Sequence, residues 1–347
     1  MALFNREKIN GIFALLAIAV VIYFLLGSII PAIAFIILFS IPLYFMKPLP
    51  VFASTIDYIS HYVFVAICTF IFIFLITPVL IIIPLSFNAE PYFTFTQGML
   101  SLDPSAFSTR WYEDIVYNGM LDPNGTEKWW NDMWNNAQWI RSARNSFFIA
   151  TMSAVIATVL GTIAALGLSR SEMPYKAAIT SLLISPMIVP LVITASGMFF
   201  FYSSINLAKT YTGVILAHVT LGIPFVIITV TATLSGFDTN LIKASQSLGA
   251  HGWITFRRVI MPLIMPGMIS GALFAFITSL DEIVAVIFIA DVEQRTIPRQ
   301  MFSGIREQIS PTILAVASVL VLISIILLTV LELLRRRSER LRGITQG

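Results

Sequence analysis

Residues 243–262 read KASQSLGAHGWITFRRVIMP and lie between two long apolar runs of the chain. The stretch holds three cationic side chains, one histidine and two glycines, in a chain that is 57% hydrophobic. A tight turn would join two membrane spans with far fewer residues. The length and polarity of this segment therefore predict a structured element outside the membrane, and what it contacts decides the function.

The rest of the chain has the composition of a polytopic membrane protein. It has 347 residues, of which 11% are charged, and a mean hydropathy of +0.88, far from soluble globular usage. A helix needs about 20 apolar residues to cross a hydrocarbon core of about 30 Å. Apolar runs of roughly that length occur at 11–27, 30–46, 62–86, 146–168, 177–204, 211–233, 263–290 and 312–334. We therefore predict an all-α fold, with a transmembrane hairpin at 1–55 and a six-span domain at 56–347.

Basic residues predict the orientation, since Lys and Arg favour cytoplasmic loops. Alternating the loops puts most of the 21 Lys and Arg residues on one side, in short segments. Both termini then lie on the cytoplasmic side, and segments 87–145 and 291–311 lie outside. Five of the six tryptophans fall in 87–145, as an interfacial aromatic belt or as part of a folded cap.

The opening stretch, with the residues before it, predicts two short helices. Asp238 is a good N-cap, apolar residues follow at helical spacing, and Gly249 is placed to end the first helix. The second helix carries Trp253 and Phe256 on one face and ends before Pro262. This elbow has an apolar edge and a basic flank, so it either lies on anionic lipid or docks a soluble partner.

The spacing of Ala244, Leu248-Gly249, Phe256 and Pro262 resembles the EAA loop of ABC importer permeases. That loop has the approximate pattern E-A-A-x-x-x-G, followed by an aromatic residue and L-P. Over about residues 60–335 the chain is similar to the C-type permease of the spermidine/putrescine importers. Further matching residues are Trp111-Tyr112, Ser146, Ser185-Pro186, His218, Pro224-Phe225, Gly236-Phe237-Asp238, Ser279-Leu280-Asp281-Glu282, Thr296-Ile297-Pro298, Phe302-Ser303 and Ser310-Pro311.

The resemblance implies a bacterial inner-membrane subunit with a cytoplasmic coupling loop at 234–262. Its implied partners are a cytoplasmic ABC ATPase dimer, a second homologous permease and a periplasmic substrate-binding protein. ATP and Mg would be used by the ATPase, and this chain would bind no cofactor and be no enzyme. No Walker-type loop occurs in its sequence. The implied ATPase-coupling residues are Lys243, Ala244, Ser245, Leu248, Gly249, Phe256 and Pro262.

Five positions depart from the family pattern. Lys243 stands where the motif has Glu, which reverses a charge on the ATPase-facing helix, and Ser245 replaces the second Ala. Met187 follows Ser-Pro where polyamine permeases tend to have Asp, and Thr312 and Leu314 replace the Glu and Asn common after the second Ser-Pro. The loss of acidic groups weakens the case for a polycationic solute.

An acidic pair, Asp281-Glu282, lies inside the apolar run 263–290. One such group at the centre of a span costs about 2.5 to 3.5 kcal/mol, and adjacent residues on a helix point about 100° apart. At least one carboxylate should then face a cavity, the protein interior or an ion-pair partner. Both are candidates for the substrate path together with Met187, and a structural bond or a position near the external interface is the alternative.

Other functions are open on the sequence alone. An ion-coupled secondary transporter would use Asp281 or Glu282 as its ion site, and an ABC permease could instead carry a non-polyamine solute such as an amino-acid derivative or an organophosphonate. A non-transporting scaffold would leave the acidic pair without a use. The one cysteine, Cys68, excludes a disulfide framework, and no Cys/His cluster predicts a metal site.

Overall fold

The computed structural model describes residues 20, 55–125, 128–170, 172–236, 238, 240–307 and 310–341. The predicted N-terminal hairpin falls almost entirely outside these residues, so it and its boundary at residue 55 stay predictions. Where the chain is described, its regular structure is helical, with one isolated β-bridge between Asn88 and Phe107 and no strand. This confirms the all-α fold class.

We number the helices along the chain. They are α1 (Thr55–Leu85), α2 (Gln97–Leu100), α3 (Arg110–Tyr117), α4 (Trp129–Asn136), α5 (Gln138–Leu168), α6 (Lys176–Ile188), α7 (Leu191–Ser204), α8 (Tyr211–Ser235), α9 (Asn240–Ser247), α10 (Gly252–Thr255), α11 (Met261–Asp281), α12 (Val284–Ile289), α13 (Ile297–Glu307) and α14 (Thr312–Leu341). A 3₁₀ turn at Pro104–Ala106 precedes α3, and a π-helical turn at Phe256–Ile260 joins α10 to α11. The helices belong to two compact units, residues 1–115 with 309–347 and residues 116–308.

The first unit packs α1 against α14. The end of α1 is tied to α3, because the Ser86 hydroxyl lies 2.6 Å from the Tyr112 hydroxyl and Trp111 Nε1 donates to the Asn88 carbonyl at 2.7 Å. At the start of α14, Thr312 Oγ1 donates to Asp114 Oδ2 at 2.6 Å. Thr312, one of the departures from the family pattern, is thus a buried structural residue here.

The second unit is built around α8, which packs on both α5 and α11. Val226 of α8 is fully buried between two glycines. A Cβ added to Gly161 of α5 would lie 2.6 Å from Val226 Cβ, and one added to Gly271 of α11 would lie 2.8 Å from Val226 Cα. In lipid, small residues let helix backbones approach closely and gain packing energy. These two glycines therefore set the spacing of the three central helices.

Several predicted spans are confirmed as single helices. Residues 62–86, 146–168 and 211–233 correspond to α1, α5 and α8, although α1 begins at Thr55 and α5 at Gln138, earlier than predicted. Four helices of the described chain are long and apolar enough to cross a membrane, or five if a bent pair is one span. The total number of spans stays a prediction.

Two predicted spans are broken in the structure. The run 177–204 forms α6 and α7, which meet at 101°. Pro190 precedes α7 at the break, and its ring cannot donate the backbone hydrogen bond that would continue α6. The run 263–290 was predicted as one helix, which is wrong, because α11 ends at Asp281 and a separate helix, α12, starts at Val284.

The tryptophans of α4 and of the start of α5 differ in exposure. Trp139 of α5 is buried and Trp129 of α4 is half-buried, whereas Trp130 and Trp134 of α4 are 72% and 51% exposed. The Arg144 guanidinium lies 5.5 Å above the Trp134 ring and donates to the Trp134 carbonyl. Helix α4 thus presents two neighbouring indoles on one side, four residues apart.

We expect the glycine contact between α8 and α11 to control stability. Gly271→Ala forces a methyl group against the Val226 backbone, and overpacking of this kind costs about 1 to 3 kcal/mol. Ser270→Ala, at the exposed neighbouring position, is the matched control. Thermal unfolding of the purified full chain in detergent should show a lower midpoint for Gly271→Ala alone, and equal midpoints for the two variants would contradict the packing described here.

Candidate functional site

The segment between α8 and α11 begins with a turn at Asp238. The Asp238 carboxylate accepts the Asn240 backbone N–H at 2.9 Å, and α9 starts at Asn240. Asp238 was predicted as the cap of a helix of about eleven residues. The predicted helix was too long, because α9 has only eight residues, Asn240–Ser247.

Gly249 ends α9 in a Schellman motif, as the sequence predicts. Its φ is +81°, a left-handed conformation that glycine adopts without a Cβ penalty. The Ala250 N–H donates to the Ser245 carbonyl at 3.1 Å, and the Gly249 N–H donates to the Gln246 carbonyl at 2.9 Å. The backbone therefore reverses direction here with its last helical carbonyls satisfied.

A side-chain contact closes the elbow between α9 and α10. The hydroxyls of Ser245 and Thr255 lie 2.9 Å apart, and Thr255 is buried. Ser245, which replaces the second Ala of the family motif, thus holds the two short helices together. Nothing in the sequence pattern points to Thr255, because a pair ten residues apart across a reversal has no periodicity.

The outer surface of the elbow is apolar and basic. Leu248 is 88% and Trp253 65% exposed, and the Trp253 ring stacks on Phe256 with centroids 5.7 Å apart. Lys243, Arg257 and Arg258 are all exposed beside them. Among the described residues, no carboxylate lies within ion-pair distance of Lys243. We call these six residues together the elbow surface.

The second short helix does not end before Pro262, so that prediction was wrong. Residues Gly252–Asp281 form one continuous helix through the π turn, in which the Met261 N–H donates to the Phe256 carbonyl. The wider turn makes room for the Pro262 ring, which in a regular α-helix would clash with the carbonyl four residues earlier. The second short helix of the elbow is therefore continuous with the long helix α11.

That helix carries the acidic pair at its other end. One side of α11 is buried at Gly267, Gly271, Ala275 and Ser279, while Ser270, Phe274, Ile277 and Asp281 are exposed at helical spacing. His218 of α8 fixes this rotation, because its Nδ1 lies 2.6 Å from the buried Ser279 hydroxyl. Asp281 thus ends an exposed stripe of α11.

Glu282 has a different environment from its neighbour. Its side chain is 7% exposed, and its Oε1 accepts the Ala285 backbone N–H at 2.8 Å. The carboxylate therefore lies at the N-terminus of α12, where a negative charge is stabilising.

The C-terminus of α12 is covered by Arg299 of α13. Its Nη1 donates to the carbonyls of Ala290 at 2.9 Å, Asp291 at 3.1 Å and Val286 at 3.4 Å. Burial lowers the pKa of Arg299, and Arg295 adds to this. The backbone N–H of Lys209 donates to the Ile289 carbonyl at 2.8 Å, so the last turn of α12 is satisfied from two sides.

The segment after α12 is held by polar bonds to α5. Asn145 Nδ2 donates to the carbonyls of Glu293 and Arg295 at 2.7 and 3.0 Å. The Ile297 N–H donates to Ser146 Oγ at 2.8 Å, which gives a role to a serine picked out by the family resemblance. At the surface, the Val292 backbone N–H donates to the Asp291 carboxylate and lowers its pKa. The Lys209 ammonium, 3.6 Å from that carboxylate, lowers the pKa further.

Met187, the third predicted path residue, lies on a different element. It is 53% exposed near the end of α6, beside the bend to α7. Where the structure is described, no group of three or more His, Cys, Asp or Glu side chains could hold a metal ion. The predicted residues thus lie in three regions of the second unit: the segment 243–262, the acidic end of α11 and the end of α6.

Comparison with known proteins identifies the family. Residues 157–341 match the model of the binding-protein-dependent transport system inner membrane component. The chain is 28% identical over 269 residues to the spermidine/putrescine transport system permease protein PotC of Haemophilus influenzae, covering 78% of this chain and 95% of that protein. It is also 28% identical over 256 residues to the putrescine transport system permease protein PotI of Escherichia coli, covering 72% and 82% respectively.

A solved structure shares the fold. It is described as the crystal structure of a bacterial ABC transporter involved in the import of the acidic polysaccharide alginate. The TM-score is 0.60 with 16% identity, over 82% of this chain and 99% of that one. With its apolar spans and a family match over more than half its length, this multi-pass inner-membrane chain belongs to the binding-protein-dependent ABC importer permease family.

Proposed function

We propose that this chain forms half of the translocation path of an ABC importer and couples it to ATP hydrolysis through the elbow surface. The single observation that carries the coupling is the geometry of 234–262. The loop exposes an apolar and basic surface at the motif positions, and it runs without a break into α11. A partner that moves the elbow would move α11 as a lever.

The partners follow from the family. They are a cytoplasmic ABC ATPase dimer, which uses ATP and Mg, a second permease, and a periplasmic binding protein that meets segments 87–145 and 291–311. With the elbow facing the ATPase, both termini are cytoplasmic. Closure of the ATPases would then bias the helices between inward-facing and outward-facing states, which requires differential binding to the two states.

For the solute we propose a polyamine such as spermidine or putrescine. Relatives that share most of their length with this chain carry those names, and Asp281 places an exposed carboxylate at the end of a membrane helix. A protonated amine would be attracted to that charge, while a neutral solute would not. Met187 in place of an acid predicts fewer charge contacts than in other polyamine permeases.

We expect Asp281→Asn to weaken uptake of cationic solutes. Losing one charge-assisted contact of about 1.5 to 3 kcal/mol raises KM by about 10-fold or more. The measurement is uptake of labelled spermidine and putrescine into proteoliposomes that contain the complete system. Glu293→Gln, at an exposed external acid, should leave KM unchanged. An unaltered KM for both amines in Asp281→Asn would remove this residue from the path.

We expect Gly249→Val to disturb coupling through the backbone alone. A Cβ at Gly249 meets nothing within 4 Å, but the left-handed conformation costs a β-branched residue about 1 to 2 kcal/mol. Gly249→Asn, which tolerates that conformation, and Gly252→Ala, at the unstrained glycine that begins α10, are the controls. Solute-stimulated ATP hydrolysis by the assembled complex should fall only for Gly249→Val. Equal hydrolysis in all three variants would contradict the docking role.

Lys243 should meet an acidic group on the ATPase, because it stands where the family motif has Glu. We expect Lys243→Glu to weaken binding of the ATPase to the full-length permease about 10-fold at low salt, as for a close interfacial charge pair, and less at high salt. The binding is titrated in nanodiscs of neutral lipid, which exclude an effect of anionic lipid. Arg306→Glu, at an exposed residue of α13, is the control. ATPase binding that Lys243→Glu leaves unchanged or strengthens would overturn this charge assignment.

A further inference from the structure

Helix α12 is a six-residue apolar helix, VAVIFI, whose two ends need hydrogen-bond partners from elsewhere in the chain. A helix this short leaves most of its backbone N–H and C=O groups without intrahelical partners. An unsatisfied backbone group is costly wherever it is shielded from water, in the protein interior as in lipid. Ala285, Val286 and Ile289 are buried, so water cannot satisfy the backbone there either.

Two charged side chains supply these partners. Glu282 accepts the Ala285 N–H at the N-terminus, and Arg299 donates to the carbonyls of Val286, Ala290 and Asp291 at the C-terminus. The signs match the helix dipole, with the negative group at the N-terminus and the positive group at the C-terminus. We call Glu282, α12 and Arg299 together the clasp.

The clasp sets where α11 ends. The Ser279–His218 bond fixes the rotation of α11 two residues before Asp281, and the Glu282 cap starts a new helix directly after it. Without the cap, the apolar run could continue as helix, which would change the surroundings of Asp281. The position of Asp281 therefore depends on the Glu282 carboxylate, which is buried and already accepts a hydrogen bond from Ala285.

We infer that Glu282 is a positioning residue that does not contact the solute, and that with Arg299 it holds the chain break that presents Asp281. This rests on the proposed function only in naming a cationic solute as the ligand of Asp281. It assigns the two adjacent carboxylates different roles, one to the path and one to the fold. Nothing about the pair in the sequence distinguishes them.

The first test separates the hydrogen-bond acceptor of Glu282 from its negative charge. Glu282→Gln keeps an oxygen that can accept the Ala285 N–H, whereas Glu282→Ala does not. In the uptake assay with spermidine and putrescine, we expect KM within about twofold of wild type for Glu282→Gln, a shift far smaller than the tenfold expected for one lost charge contact. For Glu282→Ala we expect KM to rise as much as in Asp281→Asn. The double variant Asp281→Asn/Glu282→Ala should have a KM no higher than that of either single variant. A KM raised by Glu282→Gln as much as by Asp281→Asn would make Glu282 a solute ligand and overturn the inference.

A second test does not depend on transport. The chain has one cysteine, Cys68, so Asp281→Cys in a Cys68→Ser background carries a single thiol for a water-soluble maleimide. We expect the labelling rate to stay the same when Glu282→Gln is added and to change at least fivefold when Arg299→Met is added. Arg306→Met, on the same helix as Arg299, is the control. An unchanged rate with Arg299→Met would overturn the clasp.

The two tests separate this inference from the proposed function. If Asp281→Asn leaves uptake of both amines intact, the proposed path role of Asp281 fails, and the labelling rates still decide whether the clasp holds the break. If Asp281→Asn impairs uptake but the labelling rate ignores Arg299→Met, the clasp alone is wrong.

Discussion

Hydrocarbon offers no hydrogen bonds, and this constraint determines where the helices of this protein can bend or end. Three irregularities in the described part of the second unit are satisfied by the protein's own groups. Pro262 is accommodated by a π turn, Gly249 reverses the chain in a Schellman motif, and α12 is bonded at both ends by charged side chains. These three irregularities lie in the elbow and next to the acidic end of α11, the two regions to which function is proposed.

The elbow and the acidic end of α11 are connected through one helix. Residues Gly252–Asp281 run continuously from the elbow to Asp281, and glycine contacts hold this helix close to α8. A helix of 30 residues is about 45 Å long at 1.5 Å per residue. In the proposed mechanism, a displacement of the elbow would reach the carboxylate through this one helix.

The sequence predicts what periodicity and motif spacing can encode. Apolar runs predicted α1, α5 and α8, and the glycine at the end of an amphipathic stretch predicted the elbow. It did not predict features that depend on partners distant in the chain. Arg299 reaches α12 across a loop, and Ser245 meets Thr255 across a reversal. Asp281 is exposed and Glu282 buried because they lie on opposite sides of a helix break. Pro262 misled the prediction, because the usual rule that a helix ends before proline does not anticipate a π turn.

The most direct test of the account is the energy source of transport. Proteoliposomes containing this chain, its partner permease, the ATPase and the binding protein are loaded with ATP and Mg on the ATPase side and given external labelled spermidine. We predict that spermidine uptake requires both ATP hydrolysis and this chain, and that it persists when ion gradients are collapsed. Uptake driven by a proton or sodium gradient without the ATPase would contradict it.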